Sequence, residues 1–215
     1  MPGRVRAGLR LALSFVLLSG VALASPDDPA LSRLQTFLDG LTTLTAEFSQ
    51  EVVNRDLDLV EAATGYVVLE KPGRFRWDYL EPFERVIVAD GERVWLYEAD
   101  LEQVTVRRLD AGLGETPAAL LTGSVDVLER FEFLGSEADG EVLWVNLGPL
   151  SDDADFDSVR LAFAGALLTR LELHDRLGQT TRLAFANVEQ GVVVPDDVFV
   201  FDPPDGVDVI GEDEL

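Results

Sequence analysis

The spacing of hydrophobic residues changes along the chain near residue 42. Between residues 29 and 41 they recur every three or four positions, as Leu31, Leu34, Phe37, Leu38 and Leu41. Because this spacing places them on one face of a helix, it predicts an amphipathic helix from Pro29 to Leu41. From Leu44 onward apolar and polar residues alternate, which is typical of a half-buried strand.

Short strand-like segments fill most of the remaining chain and are separated by glycine, proline or acidic turns. They lie at residues 44–52, 65–69, 74–80, 84–90, 103–108, 131–134, 142–147, 159–164, 168–174, 180–188 and 198–201. Short helical segments at 117–121 and 124–130 interrupt them. This order predicts a mainly β fold with some α-helix, a strongly curved and unclosed antiparallel sheet with helices at its mouth.

The dipeptide Asp90-Gly91 predicts a tight hairpin within this sheet. Both residue types tolerate the positive φ angles of a type I′ turn, which joins two strands through two residues. In that register Val86 faces Trp95, and Val88 faces Arg93.

The segment from Glu70 to Trp77 contains the most informative aromatic pair of the chain. Phe75 and Trp77 are two residues apart on one predicted strand, so both side chains lie on the same face of the sheet. No candidate catalytic group stands beside them. An apolar, aromatic face of this kind predicts a surface that binds an apolar ligand.

The first 24 residues have the organisation of a secretory signal peptide. Arg4, Arg6 and Arg10 precede an apolar stretch that ends in Ala22-Leu23-Ala24, a small-residue cleavage signal. The alternative is an uncleaved anchor, but the apolar run is shorter than the roughly 20 residues that cross a bilayer. We therefore expect residues 1–24 to be removed and residues 25–215 to form a single secreted domain.

Composition excludes several classes of protein. The chain has no cysteine, which rules out disulfides, thiolate catalysis and a lipid anchor on the protein itself. Removing the three leader arginines from the formal charge of −23 gives −26. So acidic a chain is repelled by nucleic acid, and we expect no nucleic-acid partner.

Candidate catalytic groups are scarce. His174 is the only histidine, and its strand predicts an exposed position. The segment Gly123-Ser124-Val125 lacks the second glycine of a nucleophile elbow, and no glycine-rich phosphate loop is present. The aspartates between residues 149 and 157 lack the spacing of a calcium-binding loop. We expect no enzyme activity, no cofactor and no metal site.

Several short motifs occur together in one order along the chain. They are Phe48-Ser49-Gln50, Lys71-Pro72-Gly73-Arg74-Phe75-Arg76-Trp77, Asp90-Gly91 with Trp95-Leu96-Tyr97, Glu102-Gln103, Thr116-Pro117 and Phe201-Asp202-Pro203-Pro204-Asp205-Gly206-Val207. In this order they resemble the outer-membrane lipoprotein carrier (LolA) family of Gram-negative bacteria. The resemblance covers essentially the whole chain after the predicted signal peptide.

The resemblance implies a fold and a function. The fold is an unclosed antiparallel barrel with a helical lid over an apolar cavity. The function is to carry acylated lipoproteins through the periplasm, from an inner-membrane ABC transporter to an outer-membrane acceptor, as a monomer. By resemblance, the cavity and the lid faces involve Phe48, Phe75, Trp77, Leu38, Leu41, Leu120 and Leu121. These residues could also be ordinary core residues.

Lys71 departs from the family pattern, which commonly has an arginine at this place. By resemblance, that arginine bonds backbone groups of the lid and keeps it shut. Lysine keeps the charge but lacks the planar fork of five donors, so a weaker latch is expected. The alternative is a solvent-facing lysine at a strand end.

Two other functions remain open from the sequence. One is a related half-barrel protein that binds other lipids or senses lipoproteins in the periplasm. The other is a secreted hydrolase or structural protein whose sheet face is only a core. The hydrolase would require catalytic groups that the chain does not offer.

Overall fold

The structure, a computed structural model, describes residues 28–109, 121–122, 127–152 and 154–211. The predicted signal peptide lies outside these ranges and stays a prediction. Leu120 and most of the predicted helix at 117–121 also lie outside them. Within the described ranges, no helix has both the length and the apolar character needed to cross a membrane.

The described residues form a mainly β structure with a helix at its start. In chain order the elements are α1 (Pro29–Gly40), β1 (Thr43–Val53), β2 (Leu59–Glu70), β3 (Arg74–Glu81), β4 (Arg85–Asp90), β5 (Arg93–Glu98), β6 (Gln103–Arg108), α2 (Val127–Arg130), β7 (Phe131–Asp139), β8 (Val142–Pro149), β9 (Phe156–Ala164), β10 (Leu167–Asp175), β11 (Thr180–Gln190) and β12 (Asp208–Gly211). Short 3₁₀ turns occupy Ala99–Leu101 and Asp196–Phe199.

The twelve strands form one open sheet, in the order β12-β6-β5-β4-β3-β2-β1-β11-β10-β9-β8-β7. Strands that follow each other through tight turns pair antiparallel, as short connections require. The pair β12 and β6 is parallel, so the sheet is mixed and the prediction of a purely antiparallel sheet was wrong. The physical reason is that a long segment after β11, with no hairpin, leads the chain to β12. The predicted absence of closure is confirmed, because β12 and β7 are the two ends of this order.

Helix α1 begins with a clear capping signal. The Asp28 carboxylate accepts a hydrogen bond from the backbone N–H of Ala30 at 2.8 Å, and Pro29 is the first helical residue. The helix ends at Gly40, one residue before the predicted end. Its buried face carries Leu34 and Phe37 among others, as the spacing predicted.

Apolar residues cover both faces of the sheet. On one face lies the main core cluster, whose buried residues come from α1, from β1 to β5 and from β8 to β11. On the other face lies the second core cluster, formed by Val86, Val88, Trp95, Val104 and Val106. The ring of Phe201 packs against the second cluster, 6.0 Å from the Trp95 ring between centroids. Strand alternation therefore directs neighbouring residues of β4 and β5 into two separate cores.

The hairpin between β4 and β5 differs from its prediction by one position. Its loop residues are Gly91 and Glu92, so Val86 pairs with Tyr97 and Val88 with Trp95. Only Gly91 has a positive φ, of 103°, which suits a turn with glycine first. The Asp90 carboxylate accepts hydrogen bonds from the backbone N–H of Glu92 and Arg93, at 2.8 and 2.7 Å. These two bonds therefore keep Asp90 at the end of β4 and outside the loop.

The prediction of a last strand at residues 198–201 was wrong. Residues Asp196–Phe199 form a 3₁₀ turn after Pro195, whose carbonyl accepts from the Val198 N–H at 3.2 Å. Phe199 is buried beneath the Arg74 guanidinium, 5.0 Å from the ring centroid. Hydrogen bonds to Asp196 and then Glu70 raise the pKa of Arg74 above its ordinary value. The final strand is instead β12, whose short and exposed sequence gave no signal.

Candidate functional site

The structure brings together all the predicted cavity and lid residues that it describes. Each is buried in the main core cluster and at most 9% exposed: Leu38, Leu41, Phe48, Phe75, Trp77 and Leu121. Leu120 lies outside the described residues. Strand parity predicted that Phe75 and Trp77 share a face, whereas Phe48 and the lid leucines followed from the family resemblance.

Four aromatic rings form a continuous row inside this cluster, which we call the aromatic row: Tyr79, Phe48, Trp77 and Phe185. The Phe48 centroid lies 5.0 Å from those of both Tyr79 and Trp77. The Trp77 ring lies 6.4 Å from that of Phe185. Sequence reasoning missed Tyr79 and Phe185. Parity could have found Tyr79, two residues after Trp77, whereas Phe185 requires the pairing of β1 with β11.

A glycine makes the aromatic row possible. Phe48 on β1 pairs with Gly65 on β2, which pairs in turn with Tyr79 on β3. A Cβ atom at Gly65 would lie 2.8 Å from the Phe48 ring and 1.9 Å from the Asp78 carbonyl oxygen. Since such distances are prohibitive, only glycine lets the Phe48 ring lie across β2 and reach the rings of β3.

The two polar groups of the aromatic row differ in their hydrogen bonding. The Tyr79 hydroxyl donates to the Gln50 side-chain oxygen at 3.1 Å. Burial raises the pKa of Tyr79, and the Arg85 guanidinium, 4.0 Å from the ring centroid, opposes that rise. By contrast, Trp77 Nε1 is buried and has no hydrogen-bond partner in the described part of the chain.

The turn between β2 and β3 contacts both α1 and the segment that contains Leu121 and Thr122. Lys71 Nζ donates to the Leu38 carbonyl oxygen at 2.8 Å, in the last turn of α1. The backbone N–H of Gly73 donates to the Thr122 carbonyl at 3.0 Å. The last carbonyls of a helix have no partner within it and carry partial negative charge. A lysine ammonium is therefore a favourable partner at this position.

The other part of α1 is also attached by polar contacts. The Ser136 hydroxyl on β7 donates to the Asp28 carboxylate, at 3.2 Å for the nearer oxygen. The Arg33 guanidinium donates to the Gly165 carbonyl in the turn between β9 and β10. Further along the helix, the Phe37 ring meets Phe163 edge to face, at 5.1 Å between centroids. α1 is thus joined to the sheet by an apolar face and a few hydrogen bonds.

The site offers apolar surface rather than reactive groups. Among the described residues, no three His, Cys, Asp or Glu side chains are grouped as a metal site would require. His174 is half-buried, not exposed as predicted, because its Nδ1 lies 3.0 Å from the Thr180 hydroxyl of the neighbouring strand. The apolar surface of the site is therefore suited to the reversible binding of an apolar ligand.

Comparison with known proteins gives one family over most of the chain. The family model for "Outer membrane lipoprotein carrier protein LolA" matches residues 39–202. The outer-membrane lipoprotein carrier protein of Nitrosospira multiformis is 43% identical over 183 residues, which are 85% of this chain and 88% of the relative. That of Nitrosomonas europaea is 39% identical over 201 residues, 92% of this chain and 98% of the relative.

One solved structure supports the fold. An uncharacterised conserved protein from Thermus thermophilus superposes with a TM-score of 0.51 at 16% identity, over 85% of this chain and 97% of that chain. The family match includes the aromatic row and the turn that contains Lys71. On the extent and identity of these matches, the chain belongs to the outer-membrane lipoprotein carrier (LolA) family.

Proposed function

We propose that this protein carries lipoproteins by burying their acyl chains on the face of the sheet that α1 covers. As a LolA family member it is a periplasmic lipoprotein carrier and not an enzyme. The observation that carries the proposed mechanism is the aromatic row, which belongs to the same core cluster as the buried face of α1, a helix of twelve residues. Lipoprotein acyl chains would replace that helix.

The need for such a carrier follows from hydration. Each methylene of an acyl chain costs about 0.8 kcal/mol to expose to water, so two or three long chains cannot cross an aqueous compartment unprotected. The face beneath α1 already buries the side chains of Leu34, Phe37 and Leu38. Acyl chains that displace α1 therefore replace one set of apolar contacts by another, which lets binding remain reversible.

We infer that α1 and the segment with Leu121 and Thr122 act together as a lid over a concave apolar cavity. Two observations support a concave face. The rings of Trp77 and Phe185 approach to 6.4 Å, although β3 and β11 are three strand spacings apart, about 14 Å in a flat sheet. The adjacent lid residues Phe37 and Leu38 contact β9 and the turn between β2 and β3, on opposite sides of β1.

Lys71 is the proposed latch of this lid. Its ammonium bonds the carbonyl of Leu38, and the same turn bonds the carbonyl of Thr122 through Gly73. Both parts of the lid are therefore attached at one turn. Opening exchanges these bonds for bonds to water, and the net contribution of one such hydrogen bond to stability is about 1 kcal/mol.

The proposed partners act at the two ends of the route. Acylated lipoproteins would be received from an inner-membrane ABC transporter and delivered to an outer-membrane acceptor. The chain has no glycine-rich nucleotide loop, so the free energy for loading would come from the transporter. We propose that the carrier works as a monomer, with residues 1–24 removed as a signal peptide.

The direct test is to purify the protein from periplasm and identify what accompanies it by mass spectrometry. Triacylated lipoproteins in stoichiometric amounts are expected. A matched preparation of a Trp77→Glu variant should lack them, because a carboxylate in the apolar face opposes entry of the chains. Recovery of the wild type without acylated protein, under conditions in which its expected cargo is made, would contradict the proposal.

A further inference from the structure

Trp77 Nε1 stands out among the polar atoms of the protein. Two buried side-chain atoms of the described residues lack a hydrogen-bond partner, Trp77 Nε1 and Arg85 Nε. Arg85 has other nitrogens, one of which contacts Glu61 at 3.5 Å. The indole N–H is the only polar group of the Trp77 side chain, and the residue is 3% exposed.

The surroundings of this N–H are apolar. Trp77 contacts the rings of Phe48 and Phe185 within the main core cluster. The nearest polar pair of the aromatic row, Tyr79 and Gln50, is already joined by its own hydrogen bond. Burying an unpaired donor is unfavourable, and a phenylalanine at this apolar position would avoid that cost.

A second tryptophan shows the usual arrangement. Trp95, in the second core cluster on the other face of the sheet, donates from Nε1 to the Asp90 carboxylate at 3.2 Å. Its N–H is thus satisfied within the folded chain. Trp77 differs because the described part of the protein supplies no partner for its N–H, although its ring is equally buried.

We propose that the indole N–H of Trp77 donates a hydrogen bond to a carbonyl oxygen of the acyl linkage of the bound lipid. This inference rests on the proposed carrier function and adds a selectivity to it. An acyl chain carries at its attachment an ester or amide carbonyl, whose oxygen accepts hydrogen bonds but cannot donate them. When the chain is buried, that oxygen needs a donor. The unpaired donor of the protein and the unpaired acceptor of the lipid satisfy each other.

Such a bond gives the apolar site a means to recognise acylation. Contacts with Phe48 and the other rings are equally good for any hydrocarbon chain, so they cannot distinguish an acyl chain from an alkyl chain. One directional bond to the carbonyl can make that distinction. The described part of the chain offers Trp77 Nε1 no partner, so burying this donor destabilises the empty protein. A bond to the acyl carbonyl would remove that cost in the loaded protein.

The test compares two lipopeptide probes that differ only at the linkage. One has two ester-linked palmitoyl chains on a glyceryl-cysteine peptide, and the other has two ether-linked hexadecyl chains. Affinities are measured by calorimetric titration for the wild type, Trp77→Phe and Trp95→Phe. We expect the wild type to bind the ester about tenfold more tightly than the ether, the factor typical of one hydrogen bond.

The variants separate the role of the N–H from that of the ring. Trp77→Phe should lose this tenfold preference, because ester binding should weaken about tenfold more than ether binding. Trp95→Phe, the matched control, should lower the melting temperature and keep the preference. A preference that persists in Trp77→Phe, or is absent from the wild type while both probes bind, overturns the inference alone. Failure of the wild type to bind either probe overturns the carrier mechanism with it.

Discussion

The ammonium nitrogen of Lys71 lies 2.8 Å from the carbonyl oxygen of Leu38, across 33 residues of sequence. This bond joins the turn between β2 and β3 to the last turn of α1. Because the helix leaves this carbonyl without an internal partner, the lysine supplies a bond that would otherwise come from water. The contact makes the half-buried end of β2 an attachment point for α1.

Lys71→Leu should favour the open state of the lid. Since the ligand-competent state is then more populated, the variant should take up a labelled lipoprotein readily. It should release the cargo poorly to an acceptor, because closure of the lid competes with the bound chains. Lys71→Arg should preserve transfer or improve it through its additional donors. Acceptor-dependent release of the labelled lipoprotein measures each effect.

A charge control separates the latch from the loss of a positive charge. Arg130→Leu also removes one cation, at an exposed position in α2, and should leave both uptake and release unchanged. Wild-type release from Lys71→Leu would show that the bond from Lys71 does not hold α1 closed.

Phe37→Ala should weaken the lid without damaging the sheet. Removing a buried phenylalanine lowers stability by about 3–5 kcal/mol in a core that cannot relax. Here the substitution should destabilise the closed state of the lid relative to the open state. The apparent affinity for a fluorescent acyl probe should therefore rise several-fold. Val104→Ala, a buried change in the second core cluster, should lower the melting temperature and leave the affinity unchanged. Loss of both affinity and stability in Phe37→Ala would identify α1 as a permanent part of the core.

Local patterns predicted much of this architecture. The spacing of Leu34 and Phe37 predicted α1, and alternation predicted most strands with their buried faces. Strand parity also predicted that Phe75 and Trp77 lie together. These features depend on residues close in sequence, where the period of the backbone fixes the direction of each side chain.

Features that depend on distant residues were not predicted. Phe185 joins the aromatic row because β11 pairs with β1, a contact between segments more than a hundred residues apart. The parallel pairing of β12 with β6 has the same origin. The hairpin register failed for a local reason, because the side chain of Asp90 bonds the turn and moves the loop to Gly91 and Glu92.

Gly65→Ala should destabilise the protein by at least about 2 kcal/mol. The added Cβ would lie 1.9 Å from the Asp78 carbonyl oxygen and 2.8 Å from the Phe48 ring, so either β3 or the ring must move. Urea unfolding measures the change. Gly40→Ala, at the end of α1 with nothing within 4 Å of the added atom, should be neutral or slightly stabilising. Equal stability of the two variants would contradict the close approach of Phe48 to β2.

Tyr79 should make the protein less stable in alkaline solution. Burial raises the pKa of Tyr79 in the folded protein, whereas in the unfolded chain it ionises near its ordinary pKa of about 10. Above about pH 10 the unfolded state therefore binds fewer protons than the folded state, and the free energy of unfolding falls as pH rises. This contribution is complete below the unfolded pKa and is lost as the pH passes through the folded one.

Tyr79→Phe isolates that effect. At pH 7 the variant should lose about 1–2 kcal/mol, because the Gln50 oxygen loses its donor within the core. Above about pH 10 its stability should decline less steeply than that of the wild type, so that the two curves converge. Urea unfolding between pH 7 and 11 measures both quantities. Tyr66→Phe, at a half-exposed position, should follow the wild-type curve. Parallel curves for Tyr79→Phe and the wild type would show that the phenol ionises without opening the core.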